Sequence, residues 1–551
     1  MDDAAAIKGP ITFNRHIAPI LFEHCAPCHR PGQAAPFSLL TFEEARKRAA
    51  QIAEVTASRY MPPWLPECAE DEFVGQRRLT AGQIALLARW AAEGAVEGDR
   101  ADLPSPRQWT DGWHWGEPDL VVKLPEPYTL PAEGRDVYRN FVIPLPTTNR
   151  HYVRGFEFRP GNFGVVHHAF IRVDRTGESR RRDAEDAEPG FAGLHMPASA
   201  QAPDGQFLSW QPGKLPVRGG AGQTWTLEAG GDLVLQLHLQ PSGKPEKVQP
   251  AVGFYFTSRP PAVTPTKIGL SAYTIDIPPG ESNYSVRSSY TLPVAASVLA
   301  VLPHAHYLAA ELKATARLPD GSEKRLLHIP RWDFNWQGDY HYRRPVRLPK
   351  GTVIAMDYRY DNSTNNVRNP HHPPQRVRYG VQSTDEMAEL WLQLLTDGTN
   401  ETAILNRDFQ PRISEDAIAY NEYLLRLNPA DAVAHIEIGK AQLFLGRELE
   451  ATQHFLRAVE LAPNNDEAHY FIGLMNRMRN QLEAAARAFE TAIRLNPQNA
   501  KAHGNLGLVR LQQGDSRRGE THLRQALRLN PEDTVARQMI DSLDRAKGGR
   551  P

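Results

Sequence analysis

Four prolines, Pro429, Pro463, Pro497 and Pro531, stand 34 residues apart, and no other feature of this 551-residue chain narrows its fold as far. Gly439, Gly473 and Gly507 repeat in the same register, as do Ala458, Ala492 and Ala526, with Phe455 and Phe489 at a further matched position. A period of this length marks a supersecondary unit that cannot bury its apolar face alone and has to stack on copies of itself. The small residues let paired helices approach closely, while Leu461 and Leu495 end each second helix against the stack. The spacing predicts three helical pairs over about 432–531, a helix before them from Asp416 and a capping helix to Ala546.

This array resembles the tetratricopeptide repeat. The resemblance implies an all-α solenoid over 416–548, reached through a linker at 399–415, whose concave face takes a protein or peptide partner. Buttressing or dimerising the rest of the chain is the alternative role.

All three cysteines, Cys25, Cys28 and Cys68, lie in the first 70 residues, so nothing beyond them is tied by a disulfide. Glu23-His24-Cys25-Ala26-Pro27-Cys28-His29 contains Cys-x-x-Cys-His, the attachment pattern of a c-type haem: two thiols add to vinyl groups and the adjacent His becomes an axial ligand. A zinc site would need a second Cys pair, and a thioredoxin-like pair leaves the following His unexplained. Residues 14–21 read as the helix carrying the motif, and Leu79-Thr80-Ala81-Gly82-Gln83 opens an amphipathic helix through Trp90. That order resembles a small cytochrome c over 10–98, making 1–100 a haem domain that binds one covalent haem through Cys25, Cys28 and His29. Its second axial ligand has to come from a loop between the helices. Met61, in Arg59-Tyr60-Met61-Pro62-Pro63-Trp64, is the expected donor, because the prolines stiffen the loop. His16 and His24 compete but sit close to the haem-binding helix. Cys68 is expected to be a free thiol.

Pro104, Pro106, Gly112 and Pro118 make 101–118 a linker. From there to about 398, short β-type runs such as 252–256 and 353–360 are punctuated by Gly and Pro, the pattern of antiparallel sandwiches. The length suffices for two, over 119–262 and 263–398, with a seam near 260–265.

Histidines recur in these runs. His167 and His168 are adjacent in the apolar run 164–171, and His238 sits in another at 233–239. Neighbours on a regular strand face opposite ways, so these two can share a metal only if the strand twists or the rings use different nitrogens. Val301-Leu302-Pro303-His304-Ala305-His306 is different: a His-x-His pair on a strand throws both imidazoles to one side. Two imidazoles joined by the thioether of Met387, from Ser383-Thr384-Asp385-Glu386-Met387, would favour copper, particularly Cu(I). Ordinary strand histidines and a core-filling Met are the competing reading.

The order His-His, strand His, His-x-His, Asp-Glu-Met resembles the copper type II, ascorbate-dependent monooxygenases (the peptidylglycine α-hydroxylating monooxygenase-like family), over about 119–398. The resemblance implies two eight-stranded jelly-roll sandwiches with one copper on each. His167, His168 and His238 would hold an electron-storing copper. His304, His306 and Met387 would hold the copper that binds dioxygen and attacks a substrate C–H bond. Two departures matter. The family is disulfide-rich and this region has no cysteine. Where peptidylglycine enzymes present Arg, Asn and Tyr to the substrate carboxylate, this chain has Leu302, Glu389 and Trp391, which cannot supply bidentate charge-assisted bonds. A small molecule or modified peptide that is apolar, neutral or cationic is expected instead. His195, His328, His341, His371 and His372 read as structural or surface residues, the last two in a proline-bound loop.

With 63 basic and 64 acidic residues and a net charge of −1, nothing points to nucleic acid or an anionic membrane. No apolar run reaches the roughly 18 residues of a membrane span. The N-terminus Met1-Asp2-Asp3-Ala4 has no signal-peptide character, yet c-type haem attachment in bacteria takes place outside the cytoplasmic membrane, so the protein is expected to be periplasmic or otherwise exported, its leader removed. The function these expectations compose is an exported copper monooxygenase that uses dioxygen and draws electrons from an external donor through its own haem, tethered close enough for intramolecular encounter. The alternatives are a non-catalytic electron-transfer or copper-binding protein docked through its repeats, and an assembly scaffold built around the repeats.

Overall fold

Asp431, Asn465 and Asn499 each precede the first helix of a repeat, and each side chain accepts the N–H three residues on, from Ala434, Ala468 and Ala502. The N-cap therefore recurs with the same period as the prolines. A computed structural model describes residues 9–31, 33, 35–69, 71–105, 113–193, 196–197, 199–212, 214, 216 and 224–548. The chain forms two units, 1–406 and 407–551.

In the second unit the expected array is present. Ala432–Phe444 pairs with Glu448–Leu461, Asp466–Met478 with Leu482–Leu495 and Ala500–Gln512 with Ser516–Leu529, and Thr534–Gly548 caps the stack. A Cβ on Gly439 would fall 2.5 Å from the Phe455 ring, and one on Gly473 would fall 2.6 Å from Phe489. Glycine at this position is what allows each buried phenylalanine to lie against the facing helix. The segment 399–415 is not a loop: it is the first half of the 29-residue helix Thr399–Leu427, which tolerates Pro411 in its interior.

The first unit opens with a π-helical turn Phe13–Ile17 running into Ala18–His24, and Cys25 N–H closes that helix on Leu21 O. Thr80 and Gln83 form a reciprocal capping box that starts Ala81–Ala92. Ile11, Phe13, Ile17, Leu21, Leu87 and Trp90 make one buried core between these elements.

Beyond the linker the sheets are all antiparallel. A four-stranded sheet, in the order Leu120–Lys123, Ala251–Thr257, His151–Arg159, Trp225–Leu227, faces a five-stranded one, in the order Phe191–Ala192, Val137–Pro144, Asp232–Leu239, Val166–Asp174, Ser209–Trp210. Their inner faces share one core that includes Val153, Phe158, Phe254, Leu235 and Leu237. A second pair follows: Thr266–Ser271, Glu389–Thr396, Ala296–His304, Tyr340–Leu348 in one sheet, and Tyr284–Thr291, Val353–Tyr360, Ala309–Arg317, Glu323–Ile329 in the other. The expected seam at 260–265 falls between the last strand of the first group and the first strand of the second.

Glu386 pins the second group where it matters most. Its buried carboxylate accepts the main-chain N–H groups of His306, Leu308 and Met387. Burial pushes its pKa up to about 8 even against those donors. Each buried N–H left without a partner costs about 1–3 kcal/mol. Glu386→Ala is therefore expected to destabilise this half by several kcal/mol, on the order of 3 or more, with Glu386→Gln, which keeps one acceptor oxygen, in between. Urea unfolding of the three proteins checks the order, and superimposable curves would exclude the staple.

Candidate metal centres and haem motif

Val166–Asp174 pairs with Asp232–Leu239, and the register slips between Val166 and His168, so that Val166 lies opposite Leu239 and His168 opposite His238. His167 is thus the extra residue of a β-bulge, and a bulge re-aims a side chain that a regular strand would send to the other face. The nitrogens of His167, His168 and His238 gather within 4.8 Å of one another, removing the difficulty that adjacency posed. Exposure is 8%, 8% and 1%. Burial pushes His167 down to about 3 and His168 well below its usual value, so both rings are neutral and carry a lone pair.

The cluster's own hydrogen bonds are incomplete. His238 Nε2 lies 2.9 Å from Asp136 Oδ2, which also accepts the Ser383 hydroxyl, and His238 Nδ1 lies 3.2 Å from His168 Nε2. Against burial, the bond and charge of His238 keep the Asp136 carboxyl below its usual value. Nδ1 of His167 and of His168 is buried with no hydrogen-bond partner among the described residues. A carboxylate-backed imidazole beside two orphaned imidazole nitrogens is a donor set that fits a transition-metal ion.

His304 and His306 end the strand Ala296–His304 and the turn after it, their ring centroids 5.2 Å apart. His304 Nδ1 lies 2.6 Å from Gln337 Oε1, and His306 Nδ1 lies 3.2 Å from Asp385 O. Each ring therefore keeps Nε2 free as a ligand atom. Burial lowers both pKa values. Met387 arrives at this point because its N–H and that of His306 share Glu386 Oε1, and its side chain is half-buried. His304 pairs with Glu389 across the sheet and feels its charge. Trp391 Nε1 donates to Glu389 at 3.0 Å, and the indole packs over Gly269.

The two clusters are neighbours. The Phe334 ring stacks on His167, with centroids 4.5 Å apart at 26°, and meets His306 edge-on at 5.3 Å. The same short segment supplies Trp332, whose indole N–H donates to His306 O at 3.0 Å, and Gln337 on His304. Tyr138 stacks on His238 at 4.3 Å and donates to Val381 O, so the second sandwich helps to hold the first cluster in place. Asp136, Phe334 and Gln337 carry no sequence signal, whereas Glu386 was visible inside the Asp-Glu-Met motif.

In the haem-type motif Cys25 and Cys28 are free thiols, and burial pushes Cys25 up to about 12. His29 Nδ1 lies 3.1 Å from Phe37 O with its ring packed on Phe37. That contact fixes the ring and leaves Nε2 available, the arrangement an axial ligand needs. Cys28 borders a cavity of about 570 Å³ shared with Trp113, Phe156, Trp210 and Lys214. Met61 is not among its lining residues: it lines a different cavity, of about 700 Å³, with Trp332, Asp333 and Trp336. His16 Nδ1 receives the Thr12 N–H and His24 Nε2 lies 3.1 Å from Gln83. Cys68 Sγ accepts from Trp64 Nε1. Among the remaining histidines, His328 lies between Glu67 and Glu311 and His341 against Asp339. His371, half-buried, and His372, exposed, lie in a loop outside any strand, and His195 falls outside the described residues.

No described helix is long and apolar enough to cross a membrane. No curated protein matches the chain. Two crystal structures titled MamA and MamA protein are similar at 25% and 26% identity, each covering 27% of this chain and 85% of theirs with a TM-score of 0.23. Family models for the TPR repeat match 473–514, and for the tetratricopeptide repeat 432–465 and 500–533. The C-terminal part of the chain is therefore a tetratricopeptide-repeat array.

Proposed function

We propose that this protein is an exported copper-dependent monooxygenase that hydroxylates a C–H bond with dioxygen and takes electrons through a c-type haem on the same chain. The observation that carries this reading is the pair of imidazole clusters on either side of Phe334. His167, His168 and His238 would hold one copper, His304, His306 and Met387 the other, and Cys25, Cys28 and His29 the haem, with Met61 proposed as its second ligand. When bound, haem and the first copper supply single-electron transfer, and the second copper supplies dioxygen activation.

The residues divide the remaining tasks. Asp136 orients His238, while Gln337 and the Asp385 carbonyl turn Nε2 of His304 and His306 to the same task. Because burial lowers the pKa of His167, His168, His304 and His306, those rings are neutral and no proton has to be displaced before a metal is held. Phe334 packs against both clusters and Trp332 against the His306 carbonyl, which keeps water from them. Glu389 beside His304 disfavours an anionic substrate, consistent with an apolar, neutral or cationic molecule. The repeats offer a face for a protein partner. The depth of both clusters also suits a protein that only carries electrons or copper, and turnover separates the two.

His304→Ala and His238→Ala are each expected to lower bound copper by one per chain relative to the parent. Met387→Ile keeps the fold but removes the sulfur donor, so reductant-driven oxygen uptake with a hydroxylatable substrate should fall at least a hundredfold, about 3 kcal/mol. Unchanged copper in both His variants, or full turnover by the isoleucine variant, would overturn the assignment. Separately, Cys25→Ala with Cys28→Ala should abolish haem that survives denaturing electrophoresis, when the protein is exported in cells able to attach it. Haem still attached in that variant would remove the motif from this role.

A further inference from the structure

His435, His469 and His503 occupy one position of the three tetratricopeptide repeats, 34 residues apart, and His454, Ala488 and His522 occupy another. In the first repeat His435 Nδ1 faces His454 Nδ1 at 3.0 Å across the helical pair. In the third, His503 Nδ1 faces His522 Nδ1 at 3.1 Å. The middle repeat breaks the pattern, because Ala488 stands where the second imidazole would be.

The tautomer follows from a second contact. His503 Nε2 lies 3.3 Å from Pro497 O, and His469 Nε2 lies 2.8 Å from Pro463 O. A carbonyl can only accept, so in His503 and His469 Nε2 carries the proton and Nδ1 presents a lone pair toward the facing helix. Two imidazole nitrogens on one tetrahedral ion, with bonds of about 2.0–2.1 Å, stand roughly 3.3–3.4 Å apart. The facing nitrogens, at 3.0 and 3.1 Å, fall short of that separation by only about 0.3 Å, which a small rotation of the rings supplies. Burial lowers the pKa of all four rings, leaving them ligand-competent at neutral pH, and the charges of Arg457, Arg510 and Arg518 reach them together with those of Asp431, Glu422 and Glu490. Three of the rings are half-buried, so water can complete the coordination.

We propose that the first and third repeats each carry a two-imidazole site for a borderline divalent cation such as zinc, formed by His435 with His454 and by His503 with His522. Each cation ties the two helices of one repeat together, independently of the copper-type clusters in the sandwiches.

The middle repeat supplies the control. It forms the same helical pair with alanine at this position, so His454→Ala and His522→Ala should fold, and Ala488→His should build a third site opposite His469. Full-length protein is brought to equilibrium with zinc ions by dialysis and the bound metal counted. Zinc taken by the sandwich histidines is common to all four proteins and cancels in the comparison. Relative to the parent, one fewer zinc is expected for His454→Ala, one fewer for His522→Ala and one more for Ala488→His. Equal counts in all four would overturn the proposal and reduce the pairs to N–H···N hydrogen bonds.

Discussion

A buried imidazole has to be neutral, and each of its nitrogens needs a partner. At the seam between the two sandwiches the buried His167, His168, His238 and His306 and the half-buried His304 find such partners unevenly. His238, His304 and His306 each give one nitrogen to Asp136, Gln337 or the Asp385 carbonyl. His167 and His168 are left with a buried Nδ1 and no partner among the described residues. Leaving two such groups unpaired inside a packed β-sandwich is costly, on the order of 1–3 kcal/mol each, and a metal ion is the partner that the neutral nitrogens, the carboxylate behind them and the bulge all suit. The rest of the seam is arranged around that need: Phe334 covers His167, Tyr138 covers His238, and Glu386 holds the turn carrying His306 against Met387.

Phe334 belongs to a segment, 332–337, that touches members of both clusters and whose tryptophans also line the cavity beside Met61. A single stretch of backbone therefore borders the two imidazole clusters and the loop of the N-terminal helical module. That module is fastened to the second sandwich by main-chain bonds from Glu67 to His328 and from Val74 to His341. Proximity of this kind is what a chain carrying single electrons from one centre to another requires, because it replaces diffusional encounter by a fixed path.

The repeats were legible because their signal is local and periodic: Gly439 against Phe455 returns as Gly473 against Phe489, and the Asp431 cap returns at Asn465 and Asn499. The antiparallel sheets were legible from alternation and from Gly and Pro spacing. The His-x-His pair was legible from strand periodicity. What the sequence could not convey is set by contacts between distant residues. The bulge at His167 depends on how two strands slip past each other, and nothing in the run 164–171 announces it. Asp136 reaches His238 across 102 positions, and Phe334 comes from a turn with no motif of its own. The expected linker at 399–415 proved helical because only Pro411 interrupts its helix-compatible residues. Met61 lines a cavity other than the one beside Cys28, a placement that no local pattern in its loop conveys.

The central claim is that two imidazoles and one thioether, drawn from His304, His306 and Met387, hold a copper ion. Copper-edge X-ray absorption on protein loaded with Cu(I) tests it most directly, because sulfur and nitrogen scatter distinguishably. The account predicts a sulfur contribution in the parent that disappears in Met387→Ile while the nitrogen contribution persists. A parent spectrum with nitrogen and oxygen scatterers alone, or a sulfur signal that survives the isoleucine substitution, would contradict it.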